Sequence, residues 1–103
     1  MNELELIKAF AEIEGVKVEL CEAQDGHYFI SKQGEYNPIT YLALNCAARD
    51  KYCVEASYYS GNEIELEIFD NDCAVIQSKW VNSKEEIPRA VIECIVKANK
   101  QRR

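Results

Sequence analysis

Glycine, proline and histidine are scarce in this chain. Its 103 residues include 4 Gly, 2 Pro and 1 His, whereas 48% are hydrophobic and 29% are charged. These counts exclude collagen-like and linker-type chains, and the apolar fraction excludes an intrinsically disordered one. No apolar run approaches the roughly 18 residues of a membrane span, and the first residues are acidic where a signal peptide is basic. We therefore expect a single domain over residues 1–103, located in the cytoplasm without a membrane partner.

Clustered metal ligands are also lacking. His27 is the only histidine, and no Cys-x-x-Cys pair occurs among the five cysteines, Cys21, Cys46, Cys53, Cys73 and Cys94. A structural zinc site needs clustered thiolates and imidazoles, so we expect neither a metal nor another cofactor. Dispersed cysteines within apolar segments are typical of free thiols in a reducing compartment.

Negative charge dominates most of the chain, whose formal net charge is -6. Residues 1–76 carry 15 acidic and 5 basic side chains, whereas residues 77–103 carry 3 acidic and 7 basic ones. The main surface should repel phosphate backbones, so we expect no direct binding of nucleic acid by it. The basic tail at about residues 100–103 fits the C-terminal end of a helix, where cations complement the helix dipole.

Hydrophobic periodicity predicts an α+β domain with a mainly antiparallel sheet. Helix starts are marked by Asn2, by Asn37-Pro38 and by a capping box from Ser83 to Glu86. The predicted order is α-β-β-α-β-β-β-α, over about residues 2–14, 16–21, 27–32, 37–49, 52–59, 63–69, 73–81 and 83–99. The middle helix is expected to turn four side chains inward, those of Leu42, Ala43, Cys46 and Ala47.

Loop lengths predict the register of the last three strands, because a one-residue slip would turn every side chain to the wrong face. A three-residue loop at 60–62 sets the apolar residues of two strands opposite each other, and it sets Glu55 opposite Glu67. A three-residue loop at 70–72 sets Leu66 opposite Ile76 and, on the other face, Glu63 opposite Lys79. Both loops have a common hairpin length.

Three short sequence motifs together point to a known family. They are Glu35-Tyr36-Asn37-Pro38 before an alanine-bearing helix, a strand that contains a tryptophan, and Ile87-Pro88-Arg89-Ala90-Val91 at the last helix. Over about residues 1–99 the chain resembles the phage ABA-sandwich domain family and the NinX-like proteins close to it. The resemblance implies a phage or prophage origin, a helix-sheet-helix sandwich and a cytoplasmic accessory role, and it supplies no catalytic residues. Helices would cover both sheet faces in such a sandwich, so the acidic face described next departs from the pattern.

The strongest surface candidate is an acidic face on two neighbouring strands. Its expected members are Glu55, Tyr59, Glu63, Glu65, Glu67 and Asp70. A like-charge pair destabilises a sheet mildly. The same carboxylates would attract a partner that carries Lys or Arg, which gives a functional reason for the arrangement. Tyr59 and the other tyrosines, with Trp80, supply the amphipathic rings that are enriched in binding hot spots. The alternative is a solvated face that prevents aggregation between sheet edges.

These features favour a non-enzymatic phage accessory protein that binds a basic surface of a host or phage protein. Such a protein could inhibit a nucleic-acid-targeting defence, for example CRISPR or restriction machinery. The alternative is a self-associating structural protein, such as a homodimer, with no nucleic-acid-related target. A hydrolase centred on His27 and Cys21 lacks an orienting third group, although Glu22 or Asp25 could pair with the histidine. We therefore expect no catalytic activity. The turn at 70–72 lacks the ligand spacing and the glycine of a calcium loop, so we also expect no metal site there.

Overall fold

The computed structural model describes residues 1–69 and 74–101. Two 3-10 turns, Ser60–Asn62 and Lys84–Glu86, accompany the regular elements. These elements are α1 (Glu3–Glu14), β1 (Glu19–Ala23), β2 (Gly26–Ser31), β3 (Gly34–Glu35), α2 (Leu42–Lys51), β4 (Val54–Tyr58), β5 (Ile64–Phe69), β6 (Val75–Val81) and α3 (Ile87–Gln101). The predicted α+β class is confirmed, and the short strand β3 is an addition to the predicted order.

Helix α3 lies at the centre of the core. The strands form two separate antiparallel sheets, β1–β2–β3 and β4–β5–β6. One side of α3 packs on β4, β5 and β6, and its other side packs on α1 and α2. It is therefore apolar on both sides, and its buried residues are Ala90, Val91, Ile92, Cys94, Ile95, Val96 and Ala98. The helices thus lie on one side of the β4–β6 sheet.

Helix α1 begins and ends where the sequence predicts. The Asn2 side chain accepts a hydrogen bond from the Glu5 backbone N–H at 2.8 Å, and the Glu5 side chain accepts one from the Asn2 backbone N–H. This reciprocal capping satisfies two backbone donors that have no partner within the helix. Gly15 ends the helix in the left-handed conformation, with φ of 69°. The helix then buries the apolar side on which Ile7 and Phe10 lie.

The predicted start and inward face of α2 are wrong. The Asn37 side chain accepts hydrogen bonds from the N–H groups of Ile39 and Thr40, but the resulting turn is short and α2 begins only at Leu42. Its buried residues are Asn45 and Ala48. The four residues expected to face inward, Leu42, Ala43, Cys46 and Ala47, are all exposed.

A buried asparagine sets the orientation of α2. The Asn45 side-chain amide donates to the carbonyl oxygens of Pro38 and Pro88, both at 2.9 Å. Pro88 lies in the first turn of α3, so the bond to its carbonyl oxygen holds one edge of α2 against that helix, and the bond to Pro38 ties α2 to the turn that precedes it. A buried amide without partners would be strongly destabilising, and this requirement outweighs the apolar pattern of the helix.

The two predicted registers have different outcomes. In the β4–β5 pair, Tyr58 lies opposite Ile64 and Glu55 opposite Glu67, so the first register is confirmed. In the β5–β6 pair, Leu66 lies opposite Lys79 instead of Ile76, so the second register is wrong. An irregularity between Ile68 and Phe69 shifts the pairing. It places an extra residue on β6, as a β-bulge does.

A long-range ion pair makes the observed register favourable. Lys79 lies on the helix-facing side of β6, and its Nζ is 2.9 Å from a carboxylate oxygen of Glu93 on α3. Arg89 Nε donates to the other oxygen of the same carboxylate at 2.9 Å. Burial raises the pKa of Glu93, but hydrogen bonds from Lys79 and Arg89 outweigh that effect and lower it overall. The Lys79 amine therefore has an ionised partner on the helix-facing side of the sheet.

Candidate functional site

The strand register brings the acidic candidates together. Glu55 lies directly opposite Glu67, and Ser57 lies opposite Glu65. The Tyr59 backbone N–H donates to the Glu63 carbonyl oxygen at 2.8 Å, which extends the same pairing beyond the strand ends. Side chains alternate between the two faces of a strand, so these residues point away from α3. We call this surface the outer face; its members are Glu55, Ser57, Tyr59, Glu63, Glu65, Glu67, Ser78 and Trp80.

The glutamates of the outer face have no basic partner among residues 1–69 and 74–101. The ion pairs of this region involve three other glutamates, Glu14, Glu22 and Glu93. Four carboxylates therefore lie on one sheet face without an ion-pair partner in the described part of the chain. Like charges at directly opposite positions, as in Glu55 and Glu67, repel each other and destabilise the pair. The outer face is consequently a region of negative potential that is suited to a positively charged surface.

Two aromatic rings adjoin these carboxylates. The ring centroids of Tyr59 and Trp80 are 5.3 Å apart, with an angle of 38° between the planes. Trp80 lies directly opposite Glu65, and the Tyr59 hydroxyl donates to a Glu65 carboxylate oxygen at 3.4 Å. Tyr59 is 49% exposed and Trp80 is 51% exposed. Half-exposed Trp and Tyr side chains are the residue types that contribute most to protein interfaces.

The sequence identified Trp80 as a candidate ring but did not assign it to this face. That omission follows from the wrong β5–β6 register, since a shift by an odd number of residues reverses the faces of a strand. The basic residue Lys79 next to Trp80 carried a usable signal. If Lys79 turns toward an acidic residue of the last helix, then Trp80 must turn outward. The remaining predicted member, Asp70, lies outside the described residues.

The structure does not bring together His27 and Cys21, the two residues of the hydrolase hypothesis. His27 Nε2 is 3.1 Å from a carboxylate oxygen of Glu22, its cross-strand neighbour. Of the two expected partners, Glu22 and Asp25, it is therefore Glu22 that pairs with the histidine. Cys21 lies opposite Tyr28, so it points to the opposite face of the hairpin from His27. Across residues 1–69 and 74–101 no group of three or more His, Cys, Asp or Glu side chains could hold a metal ion. The turn at 70–72 that was weighed as a metal site lies outside these ranges.

Comparisons with known proteins supply no assignment for this chain: no family model, curated protein or solved structure matches it. Within the described part of the chain, no helix is long and apolar enough to cross a membrane. The fold and the site together define an α+β domain with one open sheet face that is acidic and aromatic. The function is therefore argued from the chemistry of this face.

Proposed function

We propose that this protein is a non-enzymatic binding protein that covers a basic surface of another protein with its outer face. The observation that supports the proposal most is the group of four glutamates without a basic partner among residues 1–69 and 74–101, beside the contacting rings of Tyr59 and Trp80. Carboxylates attract Lys and Arg over long distances, and aromatic faces bind the same cations at short range. One surface therefore offers both kinds of contact to a basic partner.

Binding would proceed in two stages. Electrostatic attraction by the glutamates first steers the partner, which gives a fast association rate that falls as salt is added. The rings of Tyr59 and Trp80 then lose their contact with water, and basic side chains of the partner pack on them. Glu65, which lies directly opposite Trp80 and accepts a hydrogen bond from Tyr59, is the carboxylate best placed to pair with an arginine.

The partner class that fits best is a protein that binds nucleic acid through a basic groove. An acidic face presents charge of the same sign as a phosphate backbone, so it would compete with nucleic acid for that groove. The resemblance to phage ABA-sandwich and NinX-like proteins supports a phage or prophage origin and a place in the cytoplasm of a bacterial host. On this basis we propose inhibition of a nucleic-acid-targeting host defence, such as a CRISPR or restriction complex.

An affinity pull-down from bacterial lysate, read by mass spectrometry, tests this function with two matched variants. The outer-face variant replaces three glutamates of the site: Glu63→Lys, Glu65→Lys and Glu67→Lys. The control variant makes the same change of net charge at three exposed positions elsewhere: Glu12→Lys, Glu19→Lys and Glu85→Lys. Near-identical circular dichroism spectra of the three proteins would establish that all are folded.

We expect wild type and the control variant to retain the same bacterial protein, and the outer-face variant to lose it. Added salt should elute that protein, because it screens the electrostatic attraction, whereas it would not weaken an apolar interface. Equal retention by all three proteins would show that the outer face is not the binding site. Loss of retention in both variants would show that only net charge matters, which would also contradict a specific site.

Self-association is a second candidate function, and exposed apolar residues on α2 favour it. Leu42 is 74% exposed, and Tyr41 and Leu44 are exposed beside it. Contiguous exposed apolar surface is typical of protein interfaces. Light scattering over a concentration series is the direct test: a mass of two chains that Leu42→Gln reduces to one would support a homodimer. A mass of one chain at every concentration would contradict it.

A further inference from the structure

A groove separate from the outer face lies where α1 ends. The end of α1, the turn between β2 and β3, and α2 enclose a volume of about 730 Å³. Apolar side chains form much of its lining, among them Phe10, Val16, Leu44 and Ala48. Pockets of this volume and composition commonly hold small organic molecules. The groove therefore has room for a ligand with an apolar body.

The acidic and basic side chains that line this groove differ in their hydrogen-bond partners. Glu14 accepts hydrogen bonds from Lys51 Nζ at 2.6 Å and from the Tyr52 hydroxyl at 2.7 Å. Glu35 accepts one from the Tyr41 hydroxyl. The lysines Lys17 and Lys32 also line the groove, and neither has a side-chain partner among the residues that the structure describes.

The lining is therefore net positive. It contains three lysines and two glutamates, whereas the whole chain has a formal net charge of -6. Because both glutamates already accept hydrogen bonds within the groove, the groups left free to bind a ligand are cations. Cations beside an apolar surface attract a molecule that has an anionic group on an apolar body.

A largely buried tyrosine provides an independent indication of a ligand site in this groove. Tyr36 is 7% exposed and lines the groove, and its hydroxyl has no hydrogen-bond partner within residues 1–69 and 74–101. Every fully enclosed side-chain oxygen and nitrogen in that part of the chain has a partner, so this hydroxyl keeps some contact with solvent in a residue that lines the groove. Burial, and then the charge of Glu14, raises the pKa of Tyr36 to about 12. The hydroxyl therefore stays protonated at neutral pH and is available to donate a hydrogen bond.

We propose that this groove binds a small amphipathic carboxylate. The apolar body of the ligand lies against Phe10, Leu44 and Ala48. Its carboxylate is attracted by Lys17 and Lys32, and the Tyr36 hydroxyl is available as a neutral donor to a ligand oxygen. A cation with the same apolar body would be repelled by the two lysines, so the sign of the head group is the feature that the site selects. The site uses none of the outer-face residues and is independent of the proposed protein partner.

A titration with two matched probes tests the proposal. Decanoate and decyltrimethylammonium carry similar apolar chains with opposite charges, and both are used below the concentrations at which they form micelles. Binding is followed through amide chemical shifts in two-dimensional 1H–15N NMR spectra of the full chain. We expect decanoate to cause saturable shifts at Val16, Tyr36 and Ala48, with an affinity roughly ten-fold or more above that of the cation.

Three variants locate the binding. Replacing both free lysines, Lys17→Gln with Lys32→Gln, should weaken decanoate binding by roughly ten-fold, the effect of losing charge-assisted contacts. The control pair, Lys8→Gln with Lys84→Gln, removes the same charge at exposed positions elsewhere and should leave the affinity unchanged. Ala47→Trp fills the groove from an exposed helix position and should abolish the saturable shifts.

Several results would overturn the proposal. Equal affinity for the two probes would show that the lysines do not select the charge of the ligand. Saturable shifts confined to residues outside the groove would place the ligand elsewhere. Unchanged binding by the lysine double variant, or by a correctly folded Ala47→Trp protein, would show that the groove is not the site. The absence of any saturable shift with decanoate would contradict the proposal directly.

Discussion

Glu55 and Glu67 lie directly opposite each other on neighbouring antiparallel strands, on a sheet face that the helices leave uncovered. Side chains at such positions have Cβ atoms about 4.5–5.5 Å apart, so two carboxylates there repel each other. Neither has a basic partner in residues 1–69 and 74–101. A basic partner surface that covered this pair would offset the repulsion, which links the stability of the domain to its proposed binding role.

Relief of this repulsion should stabilise the isolated protein. We expect Glu67→Gln to raise the free energy of unfolding by roughly 0.2–1 kcal/mol, the range of a cross-strand pair. Urea denaturation at low salt measures the change, and added salt should reduce it because exposed charges are screened. Glu85→Gln, an exposed substitution away from the sheet, is the control and should have little effect. Destabilisation by Glu67→Gln would contradict repulsion between the two carboxylates.

The Tyr59–Trp80 contact should be measurable as an interaction energy. A double-mutant cycle with Tyr59→Ala and Trp80→Ala is expected to give a coupling of about 0.5–1.5 kcal/mol, as for other aromatic pairs. Urea denaturation of the four proteins, followed by circular dichroism, supplies the values. Trp80 is the only tryptophan, so Tyr59→Ala should also make its fluorescence easier to quench with acrylamide. Strict additivity together with unchanged quenching would mean that the rings do not interact.

The Asn45 side chain should be essential for the stability of the domain. Asn45→Ala removes the amide donor to the carbonyl oxygens of Pro38 and Pro88 and is expected to destabilise the protein by roughly 1–3 kcal/mol. Asn45→Asp should be worse, since a carboxylate would face the oxygens of Pro38 and Pro88 without a donor. Cys46→Ser, at the next and exposed position, is the control for thermal denaturation. A melting temperature for Asn45→Ala equal to that of the control would contradict the buried bonds.

The Glu93 carboxylate should make stability depend on acid. Because its pKa is lowered in the folded protein, the contribution of the Lys79 and Arg89 bonds is present above the ordinary pKa of 4.5. It is lost as the pH falls through the lower pKa of the folded state. Glu93→Gln is expected to lower stability at pH 7 by roughly 1 kcal/mol and to flatten the pH dependence below pH 4.5. Urea denaturation between pH 2.5 and about 7 tests this, and an unchanged slope would contradict it.

Thiol reactivity should report the packing of α3. Burial is the main cause that raises the pKa of Cys94 to about 11, so this thiol should resist alkylation in the folded protein. Cys46 and Cys53 are exposed and should react quickly. Iodoacetamide labelling followed by peptide mapping distinguishes the sites, and labelling in urea should remove the difference. Reaction of Cys94 at the rate of Cys46 in the native protein would contradict the central position of α3.

Local signals explain why the register of the β4–β5 pair could be predicted. The Ser60–Asn62 turn joins two strands with strict alternation, so a single register buries Val54, Leu66 and Ile68 together. The α1 cap and its stop at Gly15 are likewise set by neighbouring residues. In each case the residues that determine the structure lie within a few positions of one another. Their pattern in the sequence is therefore sufficient to predict that Glu55 lies opposite Glu67 on the outer face.

Contacts between distant residues explain what could not be predicted. The orientation of α2 depends on Asn45 reaching Pro88, 43 positions away. The β5–β6 register depends on a bulge and on the pairing of Lys79 with Glu93 of another element. The hydrophobic periodicity of α2 does not reveal that Asn45 contacts Pro88, and that of β6 does not reveal that Lys79 pairs with Glu93. Trp80 could consequently be assigned to the outer face only from the structure, and the groove, formed by separate segments, had no signal in the sequence.

Photo-crosslinking in bacterial cells tests the central claim, contact between the outer face and another protein, most directly. The photoreactive amino acid p-benzoylphenylalanine replaces Ser78, an exposed member of the outer face, or Glu12, an exposed residue of α1. We expect irradiation to join a bacterial protein to the chain labelled at position 78 and not to the chain labelled at position 12. Crosslinks of equal yield from both positions, or from position 12 alone, would contradict the claim that the outer face is the binding surface.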